Sequence, residues 1–390
     1  MSTQFDVLIV GGGLVGGAFA LALAPSGLSV ALVEPRRPAA VPDDGSWDSR
    51  IYSISPGAAA LFESCGVWQH VPAQRMTRVE AMHIYGDDRA PRLTVSAYDM
   101  GLAELAFIVE NRALQAALWQ ALASADHVRM FCPAACTALA WDEDAVHVHL
   151  QSGEEIVAQL VVGADGADSW VRTQAGIAAV PQPYGQLGVV ANFNCSQPHR
   201  DAAYQWFLGR SVLALLPLPG HRVSMVWSTP EEHARELLDM RPETLAEQVA
   251  EASGYELGGL ETITAAQGFP LKLQRVARLI QRRVALVGDA AHNVHPLAGQ
   301  GVNLGFRDAR ELAHVLAQRG PNNDCGDYYL LRRYERARRE DIVTMQLTTD
   351  GLQKLFGAKA VWIGKLRNFG LNAVDQAPPL KKLLVQQAIA

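Results

Sequence analysis

The chain has 390 residues, 49% of them hydrophobic and 19% charged, with a formal net charge of −6 and a mean hydropathy close to zero. That length exceeds one simple core and predicts two domains of a soluble globular protein. The acidic balance, with no block of Lys or Arg, excludes nucleic acid as a partner.

The five cysteines (Cys65, Cys132, Cys136, Cys195 and Cys325) are odd in number and scattered. They read as structural thiols in a reducing compartment, not as a disulfide framework. Cys132-x-x-x-Cys136 has no second ligand pair nearby, so no metal is expected.

Phe5 to Ala24 is apolar over about the length of a membrane span. Glycines break it, and Met1 to Asp6 lacks the positive charge of a signal peptide. A buried strand, a tight turn and a helix explain it better. Phe5 to Val10 is a continuous apolar run, as in a parallel strand covered on both faces. Gly11-x-Gly13-x-x-Gly16 follows: the first glycine for the turn, the second for close approach of backbone to a pyrophosphate, the third for helix packing. The next helix carries Leu14, Ala18, Leu21 and Ala22 on one face and turns its positive N-terminus toward the phosphates. Pro25 and Gly27 end it. LSVALVE then reads as a second buried strand closing on Glu34, about 20 residues beyond the glycines, where a carboxylate accepts from a ribose diol. Taken alone, the three glycines are also an ordinary tight turn. In this order they predict a dinucleotide, without separating FAD from NAD.

VHVHL places His147 and His149 alternately along a strand, facing solvent. Leu160 to Arg172 (LVVGADGADSWVR) is a strand ending in Asp165-Gly166, with Ser169 and Arg172 after it; a plain turn would read the same. Leu187 to Cys195, Ala202 to Leu208, Ser211 to Leu218 and Arg222 to Ser228 read as successive antiparallel strands. Their Phe193, Trp206, Phe207 and Trp227 would suit an aromatic pocket, although aromatics on a sheet are more often core.

Gln281 to Asp289 is expected to be one buried strand delivering Gly288 and Asp289 to its carboxyl end, where an acid can bond a sugar-alcohol chain. Gly299-Gln300-Gly301-Val302-Asn303 then opens a helix with Phe306, Ala309, Leu312, Ala313 and Leu316 at helical spacing, stopped at Gly320-Pro321. Beyond it, Leu355, Ala358, Trp362, Leu366 and Phe369 share a helical face flanked by Lys359 and Lys365. That is the pattern of an interfacial helix and equally of one packed on its own domain or a partner.

Two glycine-rich segments at opposite ends of the chain thus point at one long cofactor, and FAD has that length. GGGLVG with Glu34, Asp165-Gly166 with Ser169 and Arg172, and Gly288-Asp289 with PLAGQGVNLG resemble the three motifs of the single-component flavoprotein aromatic hydroxylases. VENR (Val109 to Arg112) and GDAAHNVHPLAGQGVNLGFRD resemble the ubiquinone-biosynthesis hydroxylase family within that group. The resemblance spans nearly the whole chain.

The resemblance implies an α/β fold: a Rossmann-like FAD-binding domain with a mixed parallel sheet, an antiparallel-sheet substrate domain and C-terminal helices. The expected bounds are 1–75, 100–180 and 270–330 for the first, 76–99 and 181–269 for the second, and 331–390 for the third. Gly11, Gly13, Leu14, Val15, Gly16 and Glu34 would hold the ADP half of FAD. Arg50 and Arg112 match positions that contact FAD, and Asp165 the motif shared with NAD(P)H. Asp289 would bond the ribityl chain, with Gly299, Gly301, Val302 and Asn303 around the isoalloxazine. Trp47 departs from the usually polar loop before Arg50.

The implied reaction is hydroxylation of a polyprenylated phenol or quinol by O2, through NAD(P)H-reduced FAD and a flavin hydroperoxide. His292, His295 and Pro296 lie beside the expected flavin position, and either histidine could ionise a phenol, although a loop histidine bonded to backbone is the more frequent case. A hydroxylase of small soluble aromatics, an isoprenoid reductase and a non-catalytic FAD-bearing subunit are the alternatives. The expected location is cytoplasmic, with peripheral contact at the inner membrane or with other biosynthetic proteins through the C-terminal region.

Overall fold

The first strand, β1 (Thr3–Val10), is buried over Val7–Val10 and lies at the centre of an eight-stranded sheet. Helix α1 (Leu14–Ala22) leads from it to β2 (Val30–Val33), which pairs parallel with β1. Pro25 falls in a short 3-10 turn and Gly27 takes a left-handed φ of 68°, which together end the helix as its sequence requires. The computed structural model describes residues 3–42, 44–86, 91–293, 301–320 and 323–357.

A short strand, β3 (Ile51–Ile54), pairs with β4 (Ala106–Glu110), and α2 (Asn111–Ala123) follows at once. The strand Val128–Phe131 then adds to β2, and β5 (Glu155–Gly163) returns to the other side of β1. With the later β6 (Val284–Leu286) parallel to β5, the parallel strands run in the spatial order 128–131, β2, β1, β5, β6. Numbered by sequence this is 3-2-1-4-5, the doubly wound order whose topological switch lies between β1 and β5. β2 and β6 are buried at every position and β1 and β5 over their carboxyl halves, while the outer strand 128–131 is only partly covered. The hairpin Cys136–Trp141 and Val146–Leu150 adds to β5 antiparallel, making the sheet mixed.

The second sheet is antiparallel in its long strands. Its four central members are Ala179–Cys195, Arg222–Pro230, Ser211–Leu218 and Ala202–Leu208, adjacent in that order. The sequence expectation for these four holds, with Ala179–Cys195 and Arg222–Pro230 longer than the hydrophobic pattern suggested. Helices Glu231–Asp239 and Pro242–Ala252 cover one face, burying Leu237, Leu245 and Val249 against Val189, Leu213, Met225 and Trp227. The other face looks toward the dinucleotide-type layer.

One element departs from expectation. Gln281 to Asp289 is not a single strand: Ile280–Gln281 folds back on Val284–Leu286 through Arg283 at a left-handed φ of 58°. The cause is polar. The buried Arg283 guanidinium donates to the carbonyls of Glu143 and Gln159 and pairs with Asp324, which a straight strand could not allow. The chain then leaves β6 in a 3-10 turn, Gly288–Ala290, with Gly288 at φ 61°.

Helices α3 (Gly301–Ala317) and α4 (Tyr328–Gly357) finish the described chain. Among the described residues no helix is long and apolar enough to cross a membrane.

Candidate active site

The carboxyl ends of β1 and β5 meet at the first glycine turn. A Cβ on Gly11 would stand 2.5 Å from the Ala164 carbonyl oxygen, and one on Gly16 would stand 2.0 Å from the Gly11 oxygen. Both positions therefore exclude a side chain for reasons of packing alone. Gly13 differs: its φ is −70° and a Cβ there would meet nothing within 4 Å. Neither protein packing nor backbone strain requires glycine at position 13, so the space beside it is left for a ligand that approaches the backbone.

Glu34 ends β2 with one carboxylate oxygen accepting from Gly12 N–H at 2.6 Å and the other from Arg36 N–H at 3.1 Å. Trp119 of α2 donates its indole N–H to the Gly12 carbonyl at 2.9 Å, fixing the turn from behind. Asp165 caps the short helix Trp170–Gln174 through Val171 N–H, while its other oxygen is buried with no partner among the described residues. Arg172 donates to the carbonyls of Ala290 and Ala167, tying this segment to the Gly288–Ala290 turn.

The two distant segments of sequence meet here. Val15 of α1 packs so closely on Gly288 and Gly305 that a Cβ at Gly305 would lie 2.7 Å from its methyl group. A cavity of about 740 Å³ opens beside this junction, lined by Gly13, Leu14, Val15, Arg50, Asp289, Gly301 and Val302, and it extends to the second sheet. Its size suits a cofactor or substrate site.

Arg50 and Tyr52 enter from β3 and its preceding loop, and Arg50 lies over the Phe269 ring at 4.9 Å. Burial raises the Tyr52 phenol above its ordinary value, with Arg50 opposing and Asp289 reinforcing the shift. The Asp289 side chain is open to cavity water yet enclosed by protein, and that desolvation raises its carboxyl, against the pull of His292, Arg50 and Lys272.

Behind the Gly288–Ala290 turn sits a fully buried charge cluster. Asp308 of α3 accepts from Gly288 N–H at 2.9 Å, from His292 Nε2 at 2.6 Å and from Arg338 Nε at 2.7 Å. Burial alone would raise the Asp308 carboxyl; the charges of His292 and Arg338 outweigh it and hold the group below its ordinary value. Arg338 continues to Asp341. Tyr334 and Glu335 of α4 bond Leu286 O and Leu279 N–H, so the last helix braces β6 and the turn after it.

Not every residue singled out in the sequence faces the cavity. Asn303 has its side chain turned to β3, donating to Ser53 O and accepting from Ser55 N–H, so the helix start is joined to the Arg50 strand. Arg112 pairs with Glu110 and donates to Ser46 O, pinning the loop before Arg50. His292 is buried against Asp308, away from the cavity lining. His295, Pro296 and Gly299 lie outside the described residues. His147 and His149 do lie on the outward side of their strand, Val146 and Val148 on the inward one. All five cysteines are free.

The aromatic pocket read from the sheet is corrected. Phe193, Trp206 and Trp227 belong to the core on the helix-covered face, and Phe207 packs with Ile84 and Val212. Strand alternation decides this for Trp206 and Trp227, whose neighbours Gln205, Val226 and Ser228 line the cavity. Phe207 shares the Gln205 side and packs on the lining residue Val212 without lining the cavity itself. Tyr52, Trp119, Gln205 and Asp308 were not foreseen as site residues. Trp119, an isolated large aromatic on an amphipathic helix near the VENR segment, left a trace in the sequence, and Asp308 closes the GDAAHNVHPLAGQGVNLGFRD segment without having been given a role there.

A doubly wound sheet with its cavity at the switch point, an open glycine, an acid at the end of β2 and an unpartnered Asp165 oxygen define a flavin-dinucleotide site, and the residues present fit FAD. The chain matches the model described as FAD binding domain over residues 4–348 and belongs to that family, the FAD-dependent monooxygenases. It is 36% identical to the 3-demethoxyubiquinol 3-hydroxylase of Escherichia coli, covering 98% of both chains. It is also 36% identical to the ubiquinone hydroxylase UbiL of Rhodospirillum rubrum, covering 98% of this chain and 89% of the relative. Among solved structures, PqsL from Pseudomonas aeruginosa, described as a probable FAD-dependent monooxygenase, superposes with a TM-score of 0.77 at 25% identity over 95% of this chain and 99% of that one. HpxO of Klebsiella pneumoniae, complexed with FAD and uric acid, shares the fold at a TM-score of 0.75, with 18% identity over 98% and 97% of the two chains.

Proposed function

We propose that this chain hydroxylates the aromatic ring of a polyprenylated phenol or quinol in ubiquinone biosynthesis, using NAD(P)H and O2. The observation that carries the reading is the single cavity that runs from the dinucleotide turn to an apolar sheet wall. The hydroxylase names of the full-length relatives support it.

FAD, when bound, accepts reducing equivalents from NAD(P)H and activates O2. The protein supplies the rest. Gly11 to Gly16 and Glu34 hold the adenosine and diphosphate end, the latter through the free N–H groups of α1. Asp289 and Arg50 take the ribityl and ring region, with the Gly301–Val302 helix start directing a positive dipole at it. The wall formed by Val190, Val212, Ala214, Leu216 and Val226 excludes water and receives an apolar ring and tail. Residues 331–390 make a peripheral contact with the membrane that dissolves such a substrate.

The test is turnover by the FAD-loaded protein. NAD(P)H oxidation should be stimulated by a prenylated phenol in detergent or liposomes, with one atom of labelled O2 in the product. Equal turnover of short soluble phenols would refute the prenylated substrate. Turnover without O2 would point to a reductase. Deleting 351–390 should abolish liposome binding while FAD is retained, and unchanged liposome binding removes the membrane contact from the reading.

A further inference from the structure

The wall of the cavity is made by one face of the antiparallel sheet, and that face is apolar nearly throughout. Gln205, Ala214, Val226 and Val190 stand directly opposite one another on four adjacent strands, and all four line the cavity. At about 4.8 Å per strand this row is about 14 Å long, enough to underlie a substituted ring.

Gln205 is the anomaly in the row. Tyr204 and Trp206 on either side of it belong to the core beneath the helices, so alternation sends the Gln205 side chain the other way, into the cavity. The residue is only 6% exposed, yet it lines the cavity and its amide makes no hydrogen bond to a described protein group. The comparable buried amides do make such bonds: Gln186 donates to Arg210 O, and Gln274 to Ala167 O. The Gln205 amide atoms are not among the enclosed unpartnered ones, so they reach the cavity space, where a ligand can meet them. Such a group is satisfied when a ligand brings an oxygen to it.

We propose that the Gln205 amide is the specificity-determining contact of this enzyme, hydrogen-bonding an oxygen substituent on the substrate ring while Ala214, Val226 and Val190 hold the ring itself. The inference rests on the hydroxylase reading above and deepens it by naming the group that recognises the ring oxygen. Glutamine can both donate and accept, so it takes a ring hydroxyl in either sense and a methoxy or quinone oxygen through its N–H.

Two probes matched in size test this, 2-geranylphenol and geranylbenzene, with 2-geranylanisole as a third. Binding is read from the visible spectrum of the bound flavin, and turnover from NAD(P)H oxidation. The wild-type protein should prefer 2-geranylphenol over geranylbenzene about tenfold, the effect of one hydrogen bond to a buried group. Gln205→Met, a volume-conserving change, should erase that preference mainly through KM and leave the FAD content unchanged. Gln205→Glu, whose carboxylate accepts but does not donate, should keep the phenol and reject the anisole.

A wild-type protein indifferent to the ring oxygen overturns the proposal, as does a Gln205→Met variant that retains the preference. If Gln205→Met loses FAD, the wild-type preference and the Gln205→Glu pattern decide by themselves. Failure of the wild-type protein to bind any of the three probes overturns the hydroxylase reading together with the inference. Binding without discrimination overturns the role of Gln205 alone.

Discussion

Replacing Asp308 by Ala removes a carboxylate that serves three donors at once: Gly288 N–H, His292 Nε2 and Arg338 Nε. The acid is fully buried and the Arg338 side chain is 6% exposed, so neither water nor rotation can replace the lost partner. Breaking a buried pair from one side costs about 3–5 kcal/mol, mostly from the charge left behind. Against a total stability of about 5–15 kcal/mol, that is a large fraction. We therefore expect Asp308→Ala to lower the urea midpoint of the FAD-free protein by an amount equivalent to about 4 kcal/mol. Asp308→Asn should fall between, since it keeps one acceptor and loses the charge. FAD affinity should fall as well, because Gly288 N–H anchors the turn that presents Asp289.

The pH dependence of this stability has a definite sign. The Asp308 carboxyl is held below its ordinary value of 3.8 in the folded state. Its stabilisation is therefore fully present above that value and is lost as pH falls through the lower folded pKa. The gap between wild type and Asp308→Ala should narrow as the pH falls through the strongly acid range in which the folded-state carboxyl takes up its proton. A gap below about 1 kcal/mol at pH 7 would refute the bracing role assigned to this cluster.

The glycines of the first turn should separate by function. Gly16→Ala forces a Cβ onto the Gly11 carbonyl and should cost stability with or without FAD, whereas Gly13→Ala, with open space around it, should change FAD-free stability by less than about 1 kcal/mol and weaken FAD binding strongly in a fluorescence titration. Equal effects of the two changes on the FAD-free protein would contradict the packing argument. Asp289→Asn should weaken FAD binding and yet stabilise the FAD-free protein at neutral pH. The raised carboxyl favours the folded state below its unfolded pKa, and that advantage disappears as pH rises through the folded value. Unfolding curves at pH 4 and pH 7 give the comparison, and a larger gain for Asn at pH 4 would contradict it. Burial pushes the Cys325 thiol up to about 11 and the Cys136 thiol up to about 12, so neither should react readily with a thiol reagent at pH 8 before the protein is unfolded. Rapid labelling of both in the folded protein would show that these thiols are not shielded.

What was legible in the sequence was whatever local chemistry dictates. The β1–turn–α1–β2 unit is written in consecutive residues, and its acid at Glu34 falls where the spacing puts it. The antiparallel strands were likewise visible as apolar runs between turns. The run from Gln281 to Asp289 was misleading because its fold-back depends on Glu143, Gln159 and Asp324, residues far away in sequence that supply the partners of Arg283. The side of the sheet that faces the cavity was equally hidden. Alternation states that Trp206 and Gln205 point in opposite directions, but which of the two meets the helices is settled only by where Glu231–Asp239 and Pro242–Ala252 pack.

Asn303 shows the same limit at the site itself. The glycine-rich helix start marked it as a cofactor residue, and the backbone of Gly301 and Val302 does line the cavity. Its side chain instead spans to Ser53 and Ser55, joining α3 to the strand that carries Tyr52 and follows Arg50. The Asp308 cluster does the equivalent on the other flank, joining α3 and α4 to the Gly288 turn. Helix α3 is thus clamped on both sides by buried polar contacts between residues remote in sequence. The geometry that presents Arg50, Asp289 and the helix N-terminus to one cavity is fixed by groups that do not line it, and a motif read along the chain cannot reveal such groups.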